Sequence, residues 1–261
     1  MKVSFIGFGN MGQAMAAGLL EKNVTAPGDI FASARNQEKL KAACTALGIA
    51  AADSNTACAA AGDVVILAVK PYQIGPVVEE IKEVLPGKLV VCIAAGFTGA
   101  RLRPLLPETA HSVCVMPNTP IRIGQGILVW DEDNDLTDDD KARLVNLFAP
   151  VALIAPVDAD HMNIAGTIAG CTPAYAAMFM EALADAGVKH GLTRPLALEM
   201  SAKVLAGTGL LCLATGDHPG QMKDAVCSPG GTTIKGVASL EKDGFRGDVI
   251  SAIDAVMGAD R

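Results

Sequence analysis

The run Lys2-Val3-Ser4-Phe5-Ile6-Gly7-Phe8-Gly9-Asn10-Met11-Gly12 constrains the fold more than any other stretch of the chain. Val3, Phe5 and Ile6 favour a strand. Glycines in the spacing G-x-G-x-x-G follow at once, and a helical pattern rich in Ala, Leu and Met comes after them. Strand, tight turn and helix in that order form a dinucleotide-binding fingerprint. The first glycine permits the turn, the second lets the backbone approach a pyrophosphate, and the third lets helix and strand pack closely. Gly7, Phe8, Gly9, Asn10, Met11 and Gly12 are therefore expected to cradle phosphates on the free N–H groups of the helix start.

Further strand and helix patterns follow in alternation. Asp29 to Ser33 reads as a second strand, Gln37 to Leu47 as a helix, Ile49 as the site of a short strand, and Asn55 to Ala61 as a small helix. Asp63 to Val69 is a near-continuous apolar run, the signature of a central parallel strand buried on both faces. Gln73 to Val84 is helical, Leu89 to Ala94 a strand, Arg101 to Leu106 a short helix and Ser112 to Met116 a sixth strand. Gly126 to Trp130 and Ala152 to Ala155 complete the strand set, and from Asp158 onward only helical patterns remain. The expected division is a dinucleotide-binding domain over 1–156 and a helical domain over 157–261, with the boundary near Pro156.

The end of the second strand bears on cofactor choice. Folds that prefer the unphosphorylated dinucleotide place an acid there, about twenty residues past the glycines, to bind the ribose hydroxyls. This chain has Ser33-Ala34-Arg35-Asn36, with no acid before Glu38. A carboxylate would repel a 2′-phosphate, whereas Arg35 grips one through a fork of N–H donors. Ser33 and Arg35 thus favour NADPH, with NADH as second choice. Ala68, Val69 and Lys70 after the apolar strand, Ala95 after the next, and Asn118 in the stiff turn Pro117-Asn118-Thr119-Pro120 are candidate walls for the nicotinamide. Lys70 reads equally as a solvated strand-end lysine, and the proline turn as a plain turn carrying an exposed amide.

The net charge of −7 comes from one segment: Asp131 to Asp140 holds seven acids, and the remaining 21 acids balance 21 bases. The segment reads as a solvated loop and a helix start that Thr137 caps, with Asp138, Asp139 and Asp140 near the positive helix end. No basic stripe suited to nucleic acid is present. The seven cysteines are scattered and odd in number, and the four histidines lack metal-ligand spacing, so neither a disulfide framework nor a metal site is expected. The chain starts in a strand rather than in a charged and apolar leader, which points to a reducing cytoplasm.

Ile164 to Met180 is uncharged over 17 residues and Val204 to Gly216 over 13. Neither is expected to span a membrane, since Thr172-Pro173 interrupts the first and the second is short and carries glycines. Segments apolar all round need burial, which predicts that the helical domain packs against its twin in a dimer. Its most informative stretch is a loop after Pro219 that ends in Ser228-Pro229-Gly230-Gly231-Thr232-Thr233 ahead of a helix from Ile234. Ser228, the backbone at Gly230, Gly231 and Thr232, and the Thr233 hydroxyl compose an anion site, the alternative being an ordinary capped loop.

With these residues in view, the chain resembles the pyrroline-5-carboxylate reductases. The resemblance runs in order through GFGNMG at 7–12, AVKP at 68–71, MPNTP at 116–120, PAY at 173–175, and DAVCSPGGTT at 224–233 followed by LEKDGFR. It implies an α/β Rossmann domain with a doubly wound, mostly parallel sheet, then an all-α dimerisation domain, in dimers that assemble further, often to decamers. One departure stands out: Ala169-Gly170-Cys171-Thr172-Pro173-Ala174-Tyr175 replaces the family's usual Ser-Gly-Ser-Gly-Pro-Ala-Tyr.

The substrate so implied is a five-membered cyclic imine bearing a carboxylate, reduced to L-proline. Ser228, Gly230, Gly231 and Thr232 would hold the carboxylate, and Thr233 would contact the ring nitrogen as the catalytic hydrogen-bonding group. Asn55 joins the cofactor set by similarity. The reading requires the opening glycine turn and the Ser228–Thr233 loop to meet within hydride reach. Two rivals share the fold. A β-hydroxyacid dehydrogenase resembles its relatives in a lysine on the first helix of its second domain, and Ile164 to Met180 has none. A non-catalytic NADP(H) sensor would have no need of a second anion site.

Overall fold

The computed structural model describes residues 1–258. It divides into two compact units, Met1–Gly170 and the chain from Cys171 onward. The first unit is an eight-stranded sheet with helices on both faces. Its elements in chain order are β1 (Val3–Ile6), α1 (Asn10–Glu21), β2 (Ile30–Ser33), α2 (Gln37–Leu47), β3 (Ala50–Ala51), α3 (Asn55–Ala61), β4 (Val64–Leu67), α4 (Ile74–Ile81), β5 (Leu89–Cys92), α5 (Gly99–Leu102), β6 (His111–Pro117), β7 (Gly126–Asp131), α6 (Asp138–Phe148) and β8 (Ala152–Val157).

The spatial order is β3-β2-β1-β4-β5-β6-β7-β8, parallel throughout except for the antiparallel pair β6–β7. The central strands are apolar without alternation because each feeds two cores. Val3, Phe5, Val64, Ile66, Leu89 and Val91 enter the core on one face, while Ile6, Val65, Leu67, Val90 and Cys92 enter the core on the other. The buried Ser4 hydroxyl is satisfied by the Cys58 carbonyl at 2.5 Å. Chain order reverses between β1 and β4, which opens a crevice beyond their C-terminal ends.

The acidic segment is not the solvated loop its composition suggests. Asp131 is wholly buried at the end of β7, where its carboxylate accepts from the Gly99 and Asp133 N–H groups. Asp135 accepts from the Ser112 N–H at 2.5 Å, and Asp133 pairs with Arg103. Thr137 caps α6 as expected, and Asp140 completes a capping box while touching His111 Nδ1 at 2.5 Å. The cause is topological. β7 runs antiparallel to β6, so the turn after β7 returns beside the start of β6 and finds donors there. Burial pushes the Asp140 carboxyl up, but hydrogen bonds from Thr137 and His111 outweigh it and hold the group below the ordinary carboxylate value.

Helices α7 (Met162–Lys189), α8 (Arg194–Thr215), α9 (Pro219–Ala225), α10 (Thr232–Lys242) and α11 (Phe245–Met257) follow. The division between units falls within α7, later than the expected boundary near Pro156, which instead lies inside β8. The first turns of α7 remain with the sheet unit because Met162 and Ala169 pack with Val129 in one cluster.

In the second unit, Phe179 meets Phe245 at 5.8 Å between ring centroids, and Arg194 pairs with Asp185 at 2.6 Å. Much of its apolar surface lies open, including Met178, Met200, Leu210, Leu211, Leu213 and Ile250. Val204 to Gly216 alone is too short to cross a bilayer, as expected, but the whole of α8 is long and apolar enough to do so by length and composition. The uncharged core counted from sequence was short, but the helix extends it by a further ten residues at its N-terminal end.

Candidate active site

The C-terminal edge of the parallel sheet gathers most of the expected cofactor residues. Gly7 has φ +91°, and a Cβ there would lie 2.7 Å from the Ala68 carbonyl oxygen, so only glycine fits between β1 and β4. Its N–H donates to the Ser33 carbonyl at 2.9 Å, and the Ala68 N–H donates to Ile6 at 2.8 Å. These bonds join the turns after β1, β2 and β4 into one rim.

Helix α1 begins with Gly9 as its N-cap and no side chain caps it. The first helical bond runs from the Gln13 N–H to the Gly9 carbonyl, which leaves the N–H groups of Asn10, Met11 and Gly12 outside the helical ladder. A Cβ built on Gly9 would meet nothing within 4 Å. Open space before an uncapped helix start fits a dinucleotide pyrophosphate. Phe8 contributes backbone only, since its ring packs edge-on against Phe5 in the core.

At the end of β2, Ser33 is buried and its hydroxyl donates to Asn55 Oδ1 at 2.8 Å. Asn55 Nδ2 donates in turn to Glu80 Oε2 at 2.8 Å. Arg35 is exposed and makes no ion pair or side-chain hydrogen bond among the described residues, so its guanidinium is available to an anion. Glu80 had no sequence signal: it is one of two adjacent acids on an amphipathic helix and reads as part of a solvated face.

Val69 is half-buried, and Lys70 and Ala95 are exposed on the same edge. The turn holding Ala95 is strapped by Arg101, whose guanidinium lies 4.5 Å from the Phe97 ring centroid and donates to the Gly96 carbonyl at 2.8 Å. Asn118 differs from expectation. Its amide is buried rather than exposed: Oδ1 accepts from the Ile127 N–H at 2.8 Å and Nδ2 donates to the Ala169 carbonyl at 3.0 Å.

In the helical unit, the stretch after Pro219 that was expected to be a loop is helix α9 as far as Ala225, capped by the His218 imidazole on the Gly220 N–H. The loop proper is Val226 to Gly231. Gly230 sits at φ +68°, and the Gly231 N–H is consumed by the Ser228 carbonyl at 3.0 Å. That N–H is therefore not free for an anion, as the sequence reading had it. Helix α10 starts at Thr232 with no side-chain cap, leaving the N–H groups of Thr232 and Thr233 beside exposed Ser228 and Thr233 hydroxyls. No cluster of three or more potential metal ligands occurs among the described residues.

Comparison with known proteins finds two family models along the chain. Residues 159–261 match the family model for pyrroline-5-carboxylate reductase dimerisation, and residues 2–96 match that for NADP oxidoreductase, coenzyme F420-dependent. The chain is 41% identical to the pyrroline-5-carboxylate reductase of Treponema pallidum (strain Nichols), covering 99% of this chain and 100% of the relative. It is 37% identical to that of Escherichia coli (strain K12), covering 98% and 96%. Among solved structures, it is similar to Plasmodium falciparum pyrroline carboxylate reductase with NADP bound, with a TM-score of 0.85, 32% identity, and 98% and 95% of the two chains covered.

Proposed function

The chain belongs to the pyrroline-5-carboxylate reductase family, and from that premise we propose how its residues carry out the reaction. It is an NAD(P)H-dependent oxidoreductase that reduces 1-pyrroline-5-carboxylate to L-proline, the last step of proline biosynthesis. One observation carries the assignment of roles. Helix α1 starts from Gly9 with no side-chain cap, and α10 starts from Gly231 with none either but with the exposed hydroxyls of Ser228, Thr232 and Thr233 around it.

The bound dinucleotide supplies the hydride. The backbone at Gly7, Phe8, Gly9, Asn10, Met11 and Gly12 would hold its pyrophosphate, Ser33, Arg35 and Asn55 would hold the phosphorylated ribose, and Ala68, Val69, Lys70 and Ala95 would border the nicotinamide. Asn118 has its amide taken up in fixing β7 and α7, so its part is to hold the end of β6 in place. Ser228 and the N–H groups at Gly230, Thr232 and Thr233 hold the substrate carboxylate, with Gly231 bending the chain to present them. The Thr233 hydroxyl bonds the ring nitrogen and keeps the C=N carbon oriented for attack. A cyclic iminium needs little acid assistance, so alignment of two bound molecules supplies most of the acceleration, up to about 10 kcal/mol.

The division of labour is that the sheet unit, up to Gly170, binds the cofactor, and the helical unit from Cys171 binds substrate and pairs with a second copy. The chain self-associates through its helical part. The apolar surface of α7, α8 and α11 suits a dimer of that part, from which larger rings such as decamers are assembled, and a second copy covers α8 in place of lipid. Seven free cysteines are compatible with a reducing cytoplasm. The test is NADPH oxidation followed by absorbance with the pyrroline acid as substrate. Oxidation dependent on that acid is expected, and its absence with properly folded protein would overturn the assignment.

A further inference from the structure

The Ser33–Asn55–Glu80 chain ties three elements together at the ribose end of the cofactor site: the end of β2, the start of α3 and the end of α4. An asparagine amide has two chemically distinct ends, and a serine hydroxyl can pair with either, because it both donates and accepts. Ser33 alone would therefore leave the Asn55 amide free to flip. A carboxylate only accepts, so Glu80 forces the NH₂ end of Asn55 toward itself and the oxygen toward Ser33. Glu80 is itself anchored, since its backbone carbonyl accepts from the Thr56 hydroxyl at 3.2 Å. With one N–H on Glu80, the second N–H of Asn55 remains to donate to an oxygen of the ribose or its phosphate.

We propose that Glu80, an exposed acid on α4, is a positioning residue for the dinucleotide, acting by locking the Asn55 amide in its donating orientation. The inference rests on the reading that Asn55 contacts the cofactor, and the test separates the two. NADPH affinity is measured directly by fluorescence titration of the purified protein, alongside kcat at saturating NADPH and thermal stability. Glu80→Ala is expected to weaken NADPH binding about three- to tenfold, the size of one oriented hydrogen bond, with kcat and melting temperature held. Glu80→Gln keeps the reach but presents either end of an amide, so it no longer enforces the orientation and is expected to restore the affinity only in part. Asn55→Ala is expected to weaken binding by a similar factor, after which Glu80→Ala should add nothing.

Unchanged affinity in Asn55→Ala would overturn the reading of the cofactor site itself. Weakened binding in Asn55→Ala with none in Glu80→Ala would leave that reading standing and overturn the role of Glu80. An undiminished effect of Glu80→Ala in the Asn55→Ala background, or full wild-type affinity in Glu80→Gln, would also overturn it.

Discussion

The side-chain amide of Asn118 donates at 3.0 Å to the carbonyl oxygen of Ala169, and Pro173, four residues further along α7, has no N–H with which to reach that carbonyl. A proline within a helix orphans one acceptor, and a buried orphan costs about 1–3 kcal/mol. Asn118 removes the orphan and, through its other end, fixes the start of β7 at Ile127. Asn118→Ala is expected to destabilise the protein by about 1–3 kcal/mol in denaturant unfolding at fixed protein concentration. In a Pro173→Ala background the helix closes its own bond, and the cost should shrink by about 1 kcal/mol. Equal cost in both backgrounds would sever the link.

The two glycines of the opening turn should fail differently. Gly7→Ala forces a side chain into a left-handed conformation and against the Ala68 carbonyl, so loss of stability or of folded protein is expected. Gly9→Ala meets no protein atom, and stability should fall by less than about 1 kcal/mol. NADPH affinity, however, should fall at least about tenfold if the pyrophosphate binds there as proposed, because the methyl would fill that space. Calorimetric melting and NADPH titration of the pair would separate the outcomes.

Arg35 is expected to set the choice between cofactors. Replacing it with Glu should raise the KM for NADPH by about tenfold or more while moving that for NADH far less, because only the former carries the 2′-phosphate. Parallel steady-state kinetics with both cofactors would show it, and an equal change in both would remove Arg35 from phosphate recognition.

Thr233→Val keeps the shape of the side chain and deletes its hydroxyl. Turnover is expected to drop modestly with NADPH affinity unchanged, as measured by saturating kinetics and titration. Wild-type turnover in this variant would remove Thr233 from the mechanism.

Acid should weaken the sheet unit through Asp140. Its folded-state pKa lies below the ordinary carboxylate value of about 3.9, so its stabilising contribution is complete above that pH and is lost as pH falls through the depressed value. Unfolding free energies followed from pH 6 down to about 3 should fall less steeply in Asp140→Asn than in wild type. An identical slope would show that the Thr137 and His111 contacts carry no such linkage.

Much of the first unit was legible because its causes are local. The helix from Gln37 to Leu47 was readable end to end, since Asn36 caps it and Gly48 closes it in a left-handed conformation. Strands β4 and β5 announced themselves as short apolar runs, because two-sided burial leaves no polar position. The acidic segment misled because its partners, Gly99, Ser112 and His111, are remote in sequence and are delivered by the antiparallel return of β7. The Gly231 N–H misled for a related reason: which amide a turn consumes depends on backbone angles that composition does not specify.

Sequence alone determined the strand–turn–helix opening, the order of the βα units, the absence of an acid after β2 and the motifs that mark the family. Each is written in neighbouring residues whose torsional and solvation preferences act over a few positions. Only the tertiary structure decided that Asn118 is buried, that Asp131 sits inside the protein, and that Glu80 reaches Asn55. These pairings span 25 residues or more, and they exist because sheet topology brings distant polar groups out of water together, where each must find a partner.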